Sequence, residues 1–86
     1  MGKADTYYAY LLECADGTLY AGSTSDLARR VEEHNSSPKG AKYTRARRPV
    51  VLKYSEPFAT LSEAAKREAA LKRLSRSEKL ALFASR

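Results

Sequence analysis

Aromatic and aliphatic residues are concentrated in three short segments with the composition of β-strands. The first covers residues 6–14, and the second, 18–22, follows the hairpin-forming pair Asp16-Gly17. The third, residues 50–56, lies between two prolines, and we expect Pro57 to end it because proline cannot donate to a sheet ladder. The pattern therefore predicts a β-hairpin and one further strand.

The first predicted helix comes directly after the hairpin. Ser25 is its predicted N-cap, and Asp26 falls in the first turn, where a carboxylate is favourable. The helix extends to about Ser36, where serine, proline and glycine residues break it. The basic segment 41–48 that follows is compatible with either a loop or a short helical turn.

Two helices are predicted at the end of the chain. Thr60 and Glu63 form a capping-box pattern before a periodic run over 61–74, and Ser75 and Glu78 repeat the pattern before the last apolar run. The element order is β-β-α-β-α-α, with a short helix or loop before the third strand. This order predicts an α+β fold with a small, three-stranded, mainly antiparallel sheet flanked by helices.

Length and composition restrict the class of protein. The chain has 86 residues, which fits one small domain over residues 1–86, and its 43% hydrophobic and 30% charged residues are typical of a globular fold. No apolar run approaches the roughly 20 residues that span a bilayer. Cys14 is the single cysteine and His34 the single histidine, which excludes an internal disulfide and a Cys/His zinc site. We therefore expect an intracellular, cytoplasmic protein.

The positive charge is concentrated in one segment. Residues 39–53 contain six Lys and Arg residues and no acid, within a chain of net charge +6. Such a segment attracts phosphate groups in a salt-dependent manner, and solubility is the alternative explanation. A membrane surface is less favoured, because Gly40 and Pro49 interrupt the segment and no strong apolar helical stripe accompanies it.

Glu68 is a charged residue in an otherwise apolar helical stripe. By i, i+3, i+4 and i+7 spacing it shares one face with Leu61, Ala64, Ala65 and Leu71. A buried carboxylate is costly unless it is paired or binds a metal, so this position indicates a functional group. The alternative is a position near the rim, where the carboxylate reaches water or an arginine.

The first predicted helix shows a related pattern. Leu27, Arg30, Val31 and His34 share one face by the same spacing, so Arg30 and His34 flank the apolar contact. A guanidinium and an imidazole held beside a sheet are suited to binding a phosphate. A structural arginine paired with a carboxylate is the alternative.

Two registers are open to the hairpin. A two-residue turn, Asp16-Gly17, places Tyr20 opposite Glu13, on the other sheet face from Tyr10. A three-residue turn with a glycine bulge places Tyr20 opposite Leu12, so that the two tyrosines are diagonal neighbours on one face. We predict the second register.

These candidate residues occur in a recognisable order along the chain. Tyr8-Ala9-Tyr10 is followed by Tyr20-Ala21-Gly22, then by Arg30 and His34 in one helix and Glu68 in a later one. This ordered set resembles the GIY-YIG nuclease domain over essentially the whole chain. The flanking segments are most similar to its small stand-alone bacterial, YhbQ-like branch.

The chain departs from the family pattern at a few positions. Tyr8 and Ala9 replace Gly and Ile of the first triplet, and Ala21 replaces Ile of the second. These positions mainly shape the strands. Many nucleases of this family also carry an asparagine after the helix glutamate, and no asparagine follows Glu68.

The resemblance implies a metal-dependent endonuclease, whose site residues are Tyr10, Tyr20, Arg30, His34 and Glu68. In this family the helix glutamate holds one divalent ion, so Glu68 is the expected ligand of Mg²⁺ or Mn²⁺. Tyr20 or Tyr10 is the expected general base. Arg30 is expected to neutralise phosphate charge, and His34 to orient the phosphate or shuttle a proton.

The resemblance also implies nucleic acid as the partner. We expect DNA rather than RNA, DNA repair or recombination as the process, and a monomer. The expected nucleic-acid-binding residues are Lys39, Lys42, Tyr43, Arg45, Arg47 and Arg48. Of these, Tyr43 is available for stacking on a base. Two alternatives stay open: a nucleic-acid-binding module of the same fold without catalysis, and an RNA or ribosome accessory protein.

Overall fold

The secondary-structure elements follow one another in the predicted order. The computed structural model describes residues 5–37 and 39–84. The elements are β1 (Tyr7–Glu13), β2 (Leu19–Thr24), α1 (Leu27–Ser36), α2 (Lys42–Arg45), β3 (Val51–Phe58), α3 (Leu61–Arg73) and α4 (Arg76–Ala81). Of the loop and the short helical turn that were open for segment 41–48, the structure has the helical turn, α2. Within the described ranges, no helix is long and apolar enough to cross a membrane.

The strands form one antiparallel sheet in the order β2-β1-β3. The central strand β1 pairs with both neighbours, and its residues Ala9, Tyr10, Leu11 and Leu12 are all buried. A strand covered on both faces needs apolar side chains at successive positions, which explains the adjacent leucines. The α+β fold with a small antiparallel sheet flanked by helices is confirmed.

The hairpin between β1 and β2 has the three-residue turn. Leu12 pairs with Tyr20, and the Cys14 N–H donates to the Thr18 carbonyl at 2.8 Å. Gly17 has a φ of 85°, the left-handed conformation that a glycine bulge requires. The predicted register is therefore confirmed.

Pro57 does not end β3, and that prediction is wrong. Pro57 pairs with Tyr8, and the strand continues to Phe58. Because β3 is an edge strand, half of its N–H groups face away from the sheet, and a residue without an N–H is tolerated there.

Side-chain caps begin three of the helices. In α1 the cap is Asp26, whose carboxylate accepts a hydrogen bond from the Arg29 N–H at 3.1 Å, so the predicted Ser25 cap is wrong by one residue. A carboxylate there also faces the positive end of the helix dipole. Thr60 caps α3 and Ser75 caps α4 as predicted, the latter with a complete capping box.

The two faces of the sheet carry clusters of different composition. Under α3, the buried residues are Ala9, Leu11, Ala21 and Leu71. Under α1, the buried residues are Tyr10, Leu12, Cys14 and Val50, with Tyr20, Leu27 and Val31 packed against them. The buried polar residues of the described chain, His34 and Thr44, come from α1 and α2.

Candidate active site

Strand β2 presents alternate residues to the two sides of the sheet. Tyr20 packs with the cluster under α1, whereas Ala21 belongs to the cluster under α3. By the two-residue period of a strand, Gly22 lies on the side of Tyr20 and Ser23 on the side of Ala21. The edge strand β2 therefore carries candidate site contacts on both of its sides, Tyr20 with His34 on one and Ser23 with Glu68 on the other.

A buried chain of hydrogen bonds crosses the α1 side. Tyr10 Oη lies 3.0 Å from His34 Nε2, and His34 Nδ1 lies 2.8 Å from Thr44 Oγ1. The Thr44 hydroxyl in turn donates to the Ala41 carbonyl at 3.0 Å. We assign the His34 proton to Nδ1, because Tyr10 then donates to Nε2 and all three bonds are satisfied. One longer contact, 3.4 Å from the Ala41 N–H to Nδ1, favours the other tautomer.

Burial keeps this pair neutral at pH 7. Burial lowers the pKa of His34 to about 4, and the charge of Arg30 acts in the same direction. Burial raises the pKa of Tyr10 to about 12, against the opposing effect of a hydrogen bond from Arg30. Tyr10 is 1% exposed and His34 0%. The resting site therefore contains a phenol hydrogen-bonded to an imidazole, both uncharged.

Gly22 allows β2 to approach the Tyr10 ring closely. It pairs with Tyr10 across the ladder, and a Cβ atom at position 22 would overlap the hydroxyl end of that ring. A larger residue would have to displace Tyr10 from His34, because packed interiors leave little free volume. The glycine thus preserves the Tyr10–His34 contact.

Arg30 projects from α1 beside Tyr10 and is partly engaged by protein groups. Its Nη1 donates at 2.9 Å to the Glu33 carboxylate and at 2.9 Å to the Lys39 carbonyl. The Arg30 hydrogen bond lowers the pKa of Glu33. A polar cavity of about 210 Å³ opens here, lined by Thr24, Ser25, Asp26, Arg29, Arg30 and Glu33. This position places a cation where an anion can approach it.

Glu68 lies at the rim of the α3 side, where both carboxylate oxygens have partners. Oε1 accepts a hydrogen bond from the Ser23 hydroxyl at 2.7 Å, and Oε2 lies 2.9 Å from Lys72 Nζ. The Glu68 side chain is 22% exposed, and Leu61 in the same stripe is 54% exposed. Of the two interpretations of the stripe, the rim position is the one observed, with a lysine as the cation instead of the arginine expected there.

The groups around Glu68 fit a hydrated divalent cation. Between residues 5–37 and 39–84, no three His, Cys, Asp or Glu side chains come together in a metal cage. Mg²⁺ does not require one, because it keeps several waters and binds through one or two carboxylates and substrate phosphates. Glu68 supplies one carboxylate with the Ser23 hydroxyl beside it, and a bound ion would compete with Lys72.

Tyr43 already makes two stacking contacts within the protein. Its ring stacks on Tyr20 with centroids 5.7 Å apart and an interplanar angle of 26°. The Arg47 guanidinium lies over the same ring, 3.9 Å from its centroid, and Arg47 also pairs with Asp16 at 3.1 Å. Stacking of Tyr43 on a base stays a prediction, and Tyr20 and Arg47 already contact its ring.

The other four predicted nucleic-acid-binding residues divide into two groups. Arg48 donates to three backbone carbonyls at the C-terminal end of α1, at distances from 2.5 to 3.3 Å, which favours a structural role. Lys39, Lys42 and Arg45 are exposed and form no ion pair with another described residue. These three side chains are open to a polyanion.

Three residues of the site were not singled out from the sequence. Ser23 and Lys72 hold Glu68, and Thr44 holds His34. The spacing of four between Glu68 and Lys72 is a known helical ion-pair pattern, so this contact was open to prediction. Ser23 and Thr44 carry no such local signal, because their partners lie in other elements.

Comparison with known families places this fold in a nuclease-type class of domains. Residues 6–81 match the family described as the GIY-YIG catalytic domain. Because the match covers most of the chain, the chain belongs to the GIY-YIG family, whose members are generally nucleases that act on nucleic acid and depend on divalent metal ions.

Within the family, the chain is similar to small proteins named UPF0213, which confirms the predicted stand-alone branch. It is 57% identical to a UPF0213 protein of Desulfotalea psychrophila over 76 residues, or 88% of this chain and 69% of the relative. It is 53% identical to a UPF0213 protein of Halobacterium salinarum over 77 residues, or 90% of this chain and 99% of the relative.

A solved structure agrees with this assignment. The solution NMR structure of a UPF0213 protein from Bacillus halodurans is 43% identical to this chain, with a TM-score of 0.57. The similarity covers 94% of this chain and 85% of that one. The names of these relatives state no substrate or reaction.

Proposed function

We propose that this chain is a metal-dependent endonuclease that hydrolyses phosphodiester bonds in DNA. The observation that carries the proposal is the contact of Glu68 with Ser23 of β2, the edge strand that also bears Tyr20. Its carboxylate contacts Ser23, while the Tyr20 ring, three residues earlier on β2, lies 5.3 Å from the His34 ring. A carboxylate at this edge cancels the attraction of Lys72 for phosphate, so nucleic-acid binding alone does not account for it.

Glu68 is the proposed ligand of one Mg²⁺ or Mn²⁺ ion, with the Ser23 hydroxyl beside it. When bound, such an ion would supply positive charge for the phosphoryl oxygens and for a neighbouring phenolate. Ser23 holds one carboxylate oxygen in place, which fixes the direction in which the other faces. The protein therefore contributes a positioned anionic ligand.

The two tyrosines have different environments, which supports different roles. Tyr20 is half-buried, and its hydroxyl forms no hydrogen bond to another residue of the described chain. We assign Tyr20, as the phenolate, the contact to the attacking water, whose proton it accepts as the water oxygen bonds to phosphorus. The phosphorus–oxygen bond to the departing sugar breaks in the same displacement, and solvent water protonates the departing oxygen. Tyr10 is buried and neutral, so we assign the Tyr10–His34 pair a positioning role behind Tyr20.

Arg30 is the proposed phosphate-binding group on the α1 side. Its guanidinium is held by Glu33 and the Lys39 carbonyl, which limits its movement before substrate arrives. A guanidinium fixed in this way donates to the phosphoryl oxygens as negative charge develops on them. The entropy cost of ordering the Arg30 side chain is thus part of folding and does not add to the barrier of the reaction.

The exposed cations Lys39, Lys42 and Arg45 would hold the DNA backbone against the site. This surface recognises phosphate and not base sequence, which agrees with DNA repair or recombination as the process. The proposed setting is intracellular, because nucleic acid is the proposed substrate and Cys14 is a buried free thiol.

Cleavage of nicked, branched and single-stranded DNA with Mg²⁺ or Mn²⁺ tests the proposal. Glu68→Gln should lower the cleavage rate by about 100-fold or more, and Tyr20→Phe by a similar factor, with DNA binding retained. Tyr10→Phe should have a smaller effect on rate. The matched control is Glu63→Gln on the same helix, which removes an exposed carboxylate from the first turn of α3.

A second candidate function is a nucleic-acid-binding module of the same fold without catalysis. The observation that favours it is that Ser23 and Lys72 already satisfy both oxygens of Glu68. Absence of cleavage on every substrate, with salt-sensitive binding intact, would select this alternative. Cleavage that survives Glu68→Gln would overturn the assignment of the metal ligand.

A further inference from the structure

Lys72 is a cation of the site that the proposed mechanism has not used. It stands one helical turn after Glu68 on α3, and its Nζ lies 2.9 Å from Oε2. The lysine side chain is 55% exposed, whereas the carboxylate is 22% exposed and also held by Ser23 at 2.7 Å. Of the two partners, the lysine is therefore the one that is free to leave.

An exposed ion pair of this kind is weak and easily exchanged. Pairs at i and i+4 on a helix surface contribute little to stability, because solvent screens the charges and the lysine loses rotamer freedom. A divalent ion on Oε2 carries twice the charge of the ammonium and would repel it at close range. Cation binding at Glu68 therefore releases Lys72 without unfolding α3.

We infer that Lys72 is a phosphate-binding residue, which Glu68 keeps neutralised until a divalent cation takes that carboxylate. The inference rests on the proposed function in one respect, that Glu68 holds the cation. Before the exchange, the two charges cancel, and this part of the β2 edge has no net attraction for DNA. After the exchange, it presents the ion and a free ammonium together.

The exchange makes binding of metal and binding of DNA mutually favourable. An effector that increases the affinity for a second ligand is itself bound more tightly in the presence of that ligand. The long, flexible stem of lysine suits this role, because the ammonium acts as a point charge that does not require a fixed geometry. Cation binding and substrate binding thereby become coupled through one side chain.

The salt dependence of duplex DNA binding tests this inference directly. We would compare wild type with Lys72→Met in Ca²⁺ and in EDTA. Recovery of intact DNA after each measurement would show that only binding is observed. In Ca²⁺, the slope of log K against log salt should be smaller for Lys72→Met by about one, the value for one lost phosphate contact. In EDTA, the two slopes should agree.

The matched control is Lys66→Met, which removes an exposed lysine from the same helix. Any change in slope that it causes should be the same with and without Ca²⁺. An equal change for Lys72→Met in both conditions, or none in either, would overturn the inference.

Mn²⁺ binding without DNA separates failure of the inference from failure of the proposed function. By electron paramagnetic resonance, Glu68→Gln should lose the Mn²⁺ site, and Lys72→Met should bind Mn²⁺ about 3- to 10-fold more tightly. Loss of the site in Glu68→Gln with no gain in Lys72→Met would reject the role of Lys72 alone. Unchanged binding in Glu68→Gln would reject the metal ligand and, with it, both proposals.

Discussion

The two faces of the β-sheet are stabilised by different forces. Under α3 and α4, the buried side chains are alanine and leucine, with Tyr54, Phe58 and Phe83 packed against them. Under α1 and α2, Tyr10, His34 and Thr44 are buried together and joined by hydrogen bonds. One face thus relies on apolar burial, and the other combines apolar burial with a polar network.

The difference shows how a small chain accommodates chemistry in its core. A buried polar group is costly unless it is hydrogen-bonded. In the described chain, no buried side-chain nitrogen or oxygen lacks a partner. The α1 face therefore tolerates buried polar side chains because each of them is hydrogen-bonded. The apolar contacts of the α3 face contribute stability that does not depend on the protonation of a side chain. Glu68 lies at the rim of the α3 face, outside both cores.

The largest effect that tests this comparison is expected on the apolar face. Leu71→Ala should lower the free energy of unfolding by about 2–5 kcal/mol, because Leu71 is fully buried in the cluster under α3. Urea unfolding at pH 7 and pH 5 should show the same loss at both values. Leu61→Ala is the matched control, since Leu61 on the same helix is 54% exposed, and it should change stability by no more than about 0.5 kcal/mol.

The pH dependence of the free energy of unfolding tests the polar α1 face. His34 has a folded pKa of about 4, below the ordinary histidine value of 6.5, so the neutral form is the one that favours folding. Its contribution is present above pH 6.5 and is lost as pH falls towards 4, by about 3 kcal/mol in total. Unfolding curves measured between pH 7 and 4 should show this decline in wild type and in Leu71→Ala.

His34→Gln should have a flatter profile over the same range of pH, because glutamine does not titrate. If wild type and His34→Gln lost stability in parallel between pH 6.5 and 4, protonation of His34 would not be the source of the pH dependence. The polar face would then not differ from the apolar face in this respect. Carboxylates that titrate at lower pH contribute equally to both proteins and cancel in the difference.

The smallest effect concerns the basic segment beside the polar face. Arg48→Met should lower the free energy of unfolding by about 1–2 kcal/mol, because three carbonyls at the end of α1 lose their donor. Arg45→Met, at an exposed site, should leave stability nearly unchanged but reduce the salt slope of DNA binding by about one. The reverse pattern, a stability loss for Arg45 and a slope change for Arg48, would contradict this division.

Sequence patterns were sufficient where residues close together in the chain make the structure. The three-residue turn with a glycine bulge, predicted in preference to the two-residue turn, gave the register that brings Tyr10 and Tyr20 to one face. The capping pattern at Ser75 predicted the start of α4. In each case the interacting groups are a few residues apart, so that local backbone geometry determines the contact.

Local patterns failed where distant segments decide the environment. Pro57 lies within a strand because β3 is at the sheet edge, which a proline motif does not reveal. The contact of Arg48 with DNA stays a prediction, but no local pattern revealed that the end of α1 engages its guanidinium. For Tyr43, the partners Tyr20 and Arg47 come together only after β2 and α2 have packed.

The sequence by itself determined the element order, the family and the set of candidate site residues, because these depend on periodicity, spacing and residue type. Only the tertiary structure decided which of those residues are already engaged. It placed Glu68 against Ser23 and Lys72, and it buried His34 beside Tyr10. Burial and pairing arise from contacts between elements, and they set the charge that each side chain presents to a substrate.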